Sequence, residues 1–267
     1  MKQNPKTIKQ ILNISFLSVS IPALILLLVL TCYTISRQIH ADQSDTEIQL
    51  SQVTTHMEEV LKRSETQLNN LVVPGSPFHS FHYSNTQLEK YQNAYTILQI
   101  LRPILTQDSC LGGFFLYSKE KSDNCYYPSF QQHYSYEDQK LLKDYFMQPI
   151  HLSEERNRWI PFMLSDRVVL IRMIGYDTTI CAVMVDPSLD NFSLFAGMSD
   201  SDMHLFYASL EGTPYTSEFV TRKLLFPYED NPVRKITLDK KTYQFISSPV
   251  GEYNLQLCCI FPYKGIW

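Results

Sequence analysis

The sequence predicts an α+β protein with an N-terminal transmembrane helix, a long helix after it, and antiparallel sheets with flanking helices in two modules. Residues 11–35 hold no Asp, Glu, Lys or Arg, residues 42–73 are polar around an apolar seam, and β-rich runs alternate with turns beyond residue 110. The predicted segments are a tail at 1–10, the transmembrane helix at 11–36, a membrane-proximal helix at 37–74, a membrane-distal module at 75–200 and a smaller membrane-proximal module at 201–267.

The uncharged run at 11–35 is long enough to cross a bilayer, because a hydrocarbon core needs about 20 apolar helical residues. Lys2, Lys6 and Lys9 precede it and only Arg37 follows closely. Basic flanks stay inside, so the N-terminus is expected in the cytoplasm and the bulk outside the cell membrane. A cleaved signal peptide is the competing interpretation, but the run exceeds a usual h-region and no A-x-A pattern follows.

The part of the chain that is expected outside the membrane is acidic. All 27 acidic residues lie beyond position 40 with 19 of the 23 basic ones, a formal charge of −8. Nucleic acid is therefore excluded as a partner, since phosphate binding needs clustered Lys and Arg.

The cysteines of the external part fall into two groups. Cys110 and Cys125 bracket a predicted hairpin and are a candidate disulfide, whereas Cys181, Cys258 and Cys259 lie in apolar runs typical of buried thiols.

Helical spacing marks the first elements. The seam after the span predicts a helix packed on its own domain, with a dimer contact as the alternative, and consists of Leu50, Val53, Met57, Val60, Leu68 and Leu71. Pro74, Gly75 and Pro77 end it, and His79 and His82 follow in a predicted loop. A second helix at 86–106 is expected to use one apolar side, formed by Leu88, Tyr91, Tyr95, Leu98 and Leu101, and another helix is expected at 137–146.

Hairpins follow the helices. Residues 111–118 return near Tyr126, and residues 167–175 and 178–186 form a second pair with a turn at Tyr176 and Asp177. The second strand of this pair is expected to end at Asp186, Pro187 and Ser188, and a helix is expected to start there and cover 189–195. The strand pattern resumes in the segments MHLFYASL, TPYTS, KTYQFISSPV and YNLQLCCIFPY, with a helical or irregular stretch before the third.

This arrangement resembles the Cache family of extracytoplasmic sensor domains, in particular the double-Cache modules of bacterial sensor histidine kinases and membrane-anchored AraC-type regulators. The resemblance lies in the anchor, the long helix, the WIPF segment from Trp159, the paired strands RVVLIRMIGYDTTICAVMVD, the segment FYASLEGTPYTS and the final YNLQLCCIFPYKGIW. It implies PAS-like sheets. In that family the last strand leads into a second transmembrane helix and an output domain, so the chain is expected to be the input half of a two-span receptor.

Motifs for chemistry are missing from the sequence: it holds no G-x-S-x-G, H-E-x-x-H, P-loop, Rossmann or kinase pattern, and no enzyme activity, cofactor or metal is expected. His79 with His82, and His151 with Glu154 and Glu155, are interpreted as surface or packing residues. Asn191 begins a glycosylation sequon that nothing else supports.

The candidate ligand-binding residues come from the resemblance, because Cache domains hold small ligands in the membrane-distal module. They are Arg156, Arg158, Trp159, Arg172, Tyr176 and Asp177. An Asp can bind a ligand amine, an Arg its carboxylate, and a Trp its apolar part. The alternative is that Trp159 is core and that Tyr176 with Asp177 is a hairpin turn.

The favoured function is therefore a small-ligand-sensing input domain of a transmembrane receptor, and a homodimer is expected. The ligand is expected to be amino-acid-like. The alternative is an anchored domain that docks an extracytoplasmic binding protein and exposes an apolar patch. An anchored hydrolase is the weakest interpretation, because no paired catalytic groups stand out.

Overall fold

A computed structural model describes residues 5–119, 125–131, 134–147, 157–190, 203–216, 219, 224–229 and 233–262. The chain divides into two compact units, Met1–Ile48 with Tyr263–Trp267, and Gln49–Pro262. A first helix, α1 (Pro5–Leu71), is followed by antiparallel sheets with flanking helices, which confirms the predicted fold class. The predicted module boundaries stay predictions.

The first unit contains the apolar part of α1. An 18-residue window of this helix has a mean hydropathy of 2.5, and none of the window is buried. Its threonines are satisfied locally, since the Thr31 and Thr34 hydroxyls donate to the carbonyl oxygens of Leu27 and Leu30 at 2.7 and 2.9 Å. By length and composition this helix could cross a membrane, and a signal sequence near an N-terminus would meet the same test.

In the second unit, the end of α1 packs on the domain that follows it. All six predicted seam residues are buried, Leu50 and Met57 completely. Ser64 interrupts the seam but donates its hydroxyl to the carbonyl oxygen of Val60 at 2.7 Å, so its burial leaves no polar group unpaired. The expectation of a helix packed on its own domain is confirmed.

The segment that holds His79 and His82 is a helix, α2 (Pro77–Tyr83), and the predicted loop is wrong. Ser76 has extended backbone angles and accepts a hydrogen bond from the His79 backbone N–H, and Pro77 occupies the first turn, where its missing N–H costs nothing. Buried Phe78 and Phe81 then hold the short helix on the core.

The third helix, α3 (Gln87–Leu105), begins with a capping box between Thr86 and Glu89. Its predicted inner side is mostly wrong: Leu88, Tyr91 and Tyr95 are 67%, 58% and 57% exposed. The buried side consists of Lys90, Ala94, Ile97, Leu101 and Leu105. Small Ala94 allows a close approach of the helix to the core, and the Lys90 amine donates to the Ser118 hydroxyl at 2.8 Å.

The first sheet has the strand order β2-β1-β5-β4-β3, and every pairing is antiparallel. Its strands are β1 (Leu111–Ser118), β2 (Cys125–Phe130), β3 (Trp159–Met163), β4 (Val168–Gly175) and β5 (Thr179–Val185). Both predicted hairpins, β1–β2 and β4–β5, are confirmed. The helix predicted at 137–146 is α4 (Tyr136–Met147), and a 3-10 helix (Pro187–Leu189) follows β5.

The second sheet has the order β6-β9-β8-β7. Its strands are β6 (His204–Ala208), β7 (Val233–Leu238), β8 (Lys241–Pro249) and β9 (Gln256–Pro262). Edge strand β7 lies in the stretch predicted to be helical or irregular, and it joins β8 through Asp239 and Lys240, which have φ of 48° and 67°. The predicted TPYTS strand contributes only isolated bridges, through Pro214 and Thr216.

The predicted disulfide between Cys110 and Cys125 is wrong, because both side chains are thiols. Cys110 precedes the first residue of β1, whereas Cys125 pairs with Ser118 at the far end of that strand. At a rise of about 3.4 Å per residue the two α-carbons are some 25 Å apart, and a disulfide requires less than about 7 Å. Cys181, Cys258 and Cys259 are buried thiols, as expected.

Candidate functional site

The first sheet has two different faces, because side chains alternate along each strand. One face packs on α1, α2 and α3, and we call it the helix face; its residues include Phe114, Leu116, Val168, Leu170, Cys181 and Val183. The opposite one is the aromatic face, which consists of Phe115, Tyr117, Tyr126, Phe130, Ile160, Phe162, Val169, Ile171, Met173, Ile180, Ala182 and Met184. Buried Leu142 and Phe146 of α4 cover part of the aromatic face.

Aromatic rings make contact in pairs across this face. The Phe115 ring lies 5.0 Å from Phe146 and stacks on Tyr126 at 6.0 Å, measured between centroids. Tyr145 of α4 lies 4.7 Å from Phe162 on β3. Rings at these separations form a rigid apolar wall, which suits the apolar or cationic part of a small molecule.

Two tyrosine hydroxyls interrupt the apolar wall. Tyr117 on β1 pairs directly with Tyr126 on β2, and both side chains lie on the aromatic face. Each hydroxyl oxygen is buried and has no hydrogen-bond partner within the described ranges. Burial raises the pKa of both phenols, so both stay protonated at neutral pH.

The unpaired hydroxyls make this face a candidate ligand site. A buried polar group without a partner costs about 1–3 kcal/mol, and a phenol can both donate and accept. Two such groups on adjacent strands can hold one polar group of a ligand between them. Tyr117 and Tyr126 are not among the ligand-binding residues predicted from the sequence. Their alternation with Leu116 and Tyr127 in the predicted hairpin was the available signal.

Asp138 fixes α4 over the aromatic face. Its carboxylate accepts hydrogen bonds from the Ser135 hydroxyl at 2.8 Å and from the Ser165 hydroxyl and backbone N–H at 2.7 and 3.0 Å. Burial alone would raise the pKa of Asp138, but these hydrogen bonds outweigh it and lower the pKa. The ionised carboxylate therefore joins the start of α4 to the turn between β3 and β4.

Asp186, just after β5, is a fully buried carboxylate with several partners. It accepts from the Tyr134 hydroxyl at 3.3 Å and from the Ser188 backbone N–H at 3.0 Å, and its Oδ2 lies 3.5 Å from the Arg167 guanidinium. Burial raises its pKa. Because every oxygen is engaged, its role is to hold the chain after β5 in place.

The predicted residues Trp159 and Arg172 are brought together, but on the helix face. They pair across β3 and β4. The Trp159 indole N–H donates to Oε1 of Glu65 at 2.8 Å, and the Arg172 Nη1 lies 3.0 Å from the same oxygen. In this arrangement Arg172 neutralises an α1 carboxylate, and a ligand role for either residue stays a prediction.

The other predicted residues lie elsewhere. Tyr176 stacks on the His82 ring at 4.1 Å, beside α2, and Asp177 is exposed in the following turn. Arg158 is exposed ahead of β3. Arg156, His151, Glu154, Glu155 and Asn191 lie outside the described residues.

The histidines of α2 belong to the same aromatic packing. The His82 Nδ1 lies 3.0 Å from the Thr179 hydroxyl, and burial, with help from His79 and Lys90, lowers the pKa of His82. Within the described ranges, no group of three or more His, Cys, Asp or Glu side chains could hold a metal ion. Packing is the role that the contacts give this pair.

Comparison with known proteins identifies no family model and no curated protein that matches the chain. Solved structures do match. An extracellular domain assigned to a histidine kinase, rpHK1S-Z16, has a TM-score of 0.54 at 12% identity, with 86% of this chain and 100% of that chain covered. A second such domain, soHK1S-Z6, has a TM-score of 0.51 at 11% identity, covering 84% and 97%.

A third match is the ligand-binding domain of the amino acid chemoreceptor PctC of Pseudomonas aeruginosa PAO1, in complex with GABA. Its TM-score is 0.46 at 11% identity, with 83% of this chain and 99% of that chain covered. The first two matches, with the α1 helix and the two antiparallel sheets, show that this chain has the same α+β fold as those two extracellular domains.

Proposed function

We propose that this chain is the extracytoplasmic small-ligand-sensing input domain of a bacterial transmembrane signalling receptor. The observation that carries the proposal is the pair of buried hydroxyls of Tyr117 and Tyr126, which have no partner within the described ranges and lie on an otherwise apolar face. The apolar part of α1 is the membrane anchor. Lys2, Lys6 and Lys9 before it support a cytoplasmic N-terminus.

The geometry of the aromatic face supports one class of ligand. Its rings accept an apolar group or a cation, and its two hydroxyls accept or donate one or two hydrogen bonds. An amino-acid-like molecule, with an ammonium group beside the rings and a polar group between the hydroxyls, has both features. The output is proposed to be a two-component histidine kinase, because the two matched extracellular domains with TM-scores of 0.54 and 0.51 are assigned to that class. An AraC-type regulator is the alternative output, and the proposal includes a homodimer.

The test uses the full chain in lipid nanodiscs, screened by thermal shift against amino acids, organic acids and sugars. A ligand present at 100 times its dissociation constant stabilises the fold by about 2.7 kcal/mol, which is a measurable rise in melting temperature. The double variant Tyr117→Phe with Tyr126→Phe keeps both rings and removes both hydroxyls, so it should bind the stabilising compound at least about tenfold more weakly.

The matched control is Tyr136→Phe, because Tyr136 is 82% exposed at the start of α4 and its hydroxyl faces solvent. This variant should bind like the parent. A panel in which no compound raises the melting temperature, or a double variant with unchanged affinity, would contradict the proposal.

A second candidate function is an anchored protein-interaction domain, and one observation favours it. Leu88, Tyr91 and Tyr95 form an exposed stripe along α3, with each side chain more than half exposed. A photo-crosslinking residue at position 91 should then give one protein adduct of defined mass, and Tyr95→Ser should abolish it. A ligand that binds the aromatic face while no adduct forms would favour the sensor.

A further inference from the structure

A groove of about 380 Å³ lies between the second half of α3 and strand β2, and neither Tyr117 nor Tyr126 is among the described residues that line it. Its lining residues are Tyr95, Leu98, Gln99, Arg102, Leu105 and Thr106 from α3 and the turn after it, and Pro128, Ser129, Phe130 and Gln131 from β2 and the residue after it. The volume is within the range of about 300–1,000 Å³ that small-molecule sites occupy.

The groove has one charge and an apolar base. Among the described residues that line it, Arg102 is the only charged one, and none of them is acidic. Within the described part of the chain Arg102 forms no ion pair, although four other arginines, Arg63, Arg167, Arg172 and Arg234, each lie beside a carboxylate. The Arg102 guanidinium is therefore available to a ligand anion, in a domain with a formal charge of −8 beyond residue 40.

The remaining groups in the groove divide into apolar and amide side chains. Leu98, Leu105, Pro128 and Phe130 provide the apolar surface. Gln131 lines the same groove, and its side-chain oxygen is buried without a hydrogen-bond partner among the described residues. The Gln131 oxygen can only accept a hydrogen bond, so it does not bind a carboxylate, whose oxygens are also acceptors. A molecule with one carboxylate and a compact apolar or aromatic body would match Arg102 and the apolar side chains of the groove.

We propose that this groove is a second binding site, for a small organic carboxylate whose apolar body lies on Leu98, Leu105 and Phe130. Arg102 binds the carboxylate with two parallel hydrogen bonds, the geometry that a planar guanidinium provides. The site goes beyond the proposed sensing function, because it uses α3 and the free edge of β2 rather than the Tyr117–Tyr126 pair. It gives the domain a carboxylate site that would operate whether or not the aromatic face binds a ligand.

The experiment measures binding of phenylacetate to the full chain in lipid nanodiscs by calorimetry, with empty nanodiscs as the blank. Phenylacetamide, which has the same shape without the charge, and acetate, which has the charge without the ring, are the comparison compounds. We expect saturable phenylacetate binding with a dissociation constant of about 1 mM or below, and at least about tenfold weaker binding of both comparison compounds.

Two variants and one control locate the site. Arg102→Gln should weaken phenylacetate binding about tenfold, because it removes the charge-assisted hydrogen bonds from an exposed helix position. Gln99→Trp should block the groove sterically, also from an exposed position, so neither variant should alter the melting temperature of the free protein. Lys241→Gln, an exposed charge change on β8, should bind like the parent.

Three outcomes would overturn the proposal: no saturable binding, equal binding of phenylacetamide, or unchanged affinity in Arg102→Gln. Loss of phenylacetate binding in the Tyr117→Phe, Tyr126→Phe double variant, with Arg102→Gln unaffected, would also overturn it, and would support ligand binding on the aromatic face instead. The two proposals can therefore fail independently.

Discussion

Trp159 and Arg172 bind the same carboxylate oxygen of Glu65, at 2.8 and 3.0 Å, and so join the edge of the first sheet to α1. Tyr253, in the turn between β8 and β9, is close to the same carboxylate. Burial and Glu65 together raise the pKa of Tyr253 to about 12. One side chain of α1 is therefore close to the first sheet and to the turn between two strands of the second sheet.

Glu65→Gln should destabilise the domain by about 1–3 kcal/mol, because it leaves the guanidinium of Arg172, which is 14% exposed, without its counter-charge. Thermal unfolding of the full chain in nanodiscs measures the effect. Glu59→Gln is the control, since Glu59 is exposed on the same helix. Equal melting temperatures for the two variants would mean that the contact contributes no net stability.

The inner side of α3 can be tested with two matched truncations. Leu101→Ala should cost about 2–5 kcal/mol, because Leu101 is 1% exposed and its removal leaves a cavity in the core. Leu88→Ala should cost less than about 0.5 kcal/mol, because Leu88 is 67% exposed. A lower melting temperature for Leu88→Ala than for Leu101→Ala would instead mean that the side of α3 predicted from the sequence is the buried one.

The turn between β4 and β5 requires a glycine. Gly175 has φ of 138°, and a Cβ there would lie 2.3 Å from the Thr179 carbonyl oxygen. Gly175→Ala should therefore cost more than about 3 kcal/mol, since backbone strain and a backbone clash add. Gly75→Ala is the comparison, because Gly75 has φ of 82° and no atom lies within 4 Å of the added carbon. This variant should lose only about 1 kcal/mol of unfolding free energy, from backbone strain alone. Similar losses in both variants would exclude the clash.

Stability should fall as the pH rises above about 9. Burial raises the pKa of Cys181 from 9.0 to about 12, and that of Cys259 to about 12. An unfolded thiol loses its proton from about pH 9, whereas the folded thiol keeps it. The folded state therefore binds more protons than the unfolded state, and the contribution of these thiols to the free energy of unfolding is lost between pH 9 and 12. Cys181→Ala removes one such proton, so the fall in unfolding free energy between pH 9 and 11 should be less steep than in the parent. Equal slopes of unfolding free energy against pH in the variant and the parent would show that folding does not protect the Cys181 thiol from ionisation.

Element positions could be predicted from the sequence because their signals are local. The β4–β5 hairpin and the extent of α3 follow from apolar runs, turn residues and a capping box within a few residues of one another. Strand β7 was not predicted because Arg234 and Lys235 interrupt its apolar pattern and its turn, Asp239–Lys240, has no glycine. Tertiary pairing with β8 decides that segment.

The candidate site was harder to predict than the fold. Trp159, Arg172 and Tyr176 have suitable chemistry, but strand register assigns each side chain to one face, and a shift of one residue reverses the assignment. Tyr117 and Tyr126 lack any motif, and only their pairing across β1 and β2 shows that two hydroxyls share one buried face.

By itself the sequence determined the apolar helix, the seam on α1 and the antiparallel hairpins. The spacing of apolar residues that distinguishes a helix from a strand is a property of neighbouring residues. The tertiary structure alone decided which stripe of α3 is buried, that Glu65 engages Trp159 and Arg172, and that Tyr117 and Tyr126 share a face. Those outcomes depend on packing between segments that are far apart in the chain. Several helix sides and strand faces fit the local sequence equally well, and close packing and hydrogen-bond geometry decide which of them is buried.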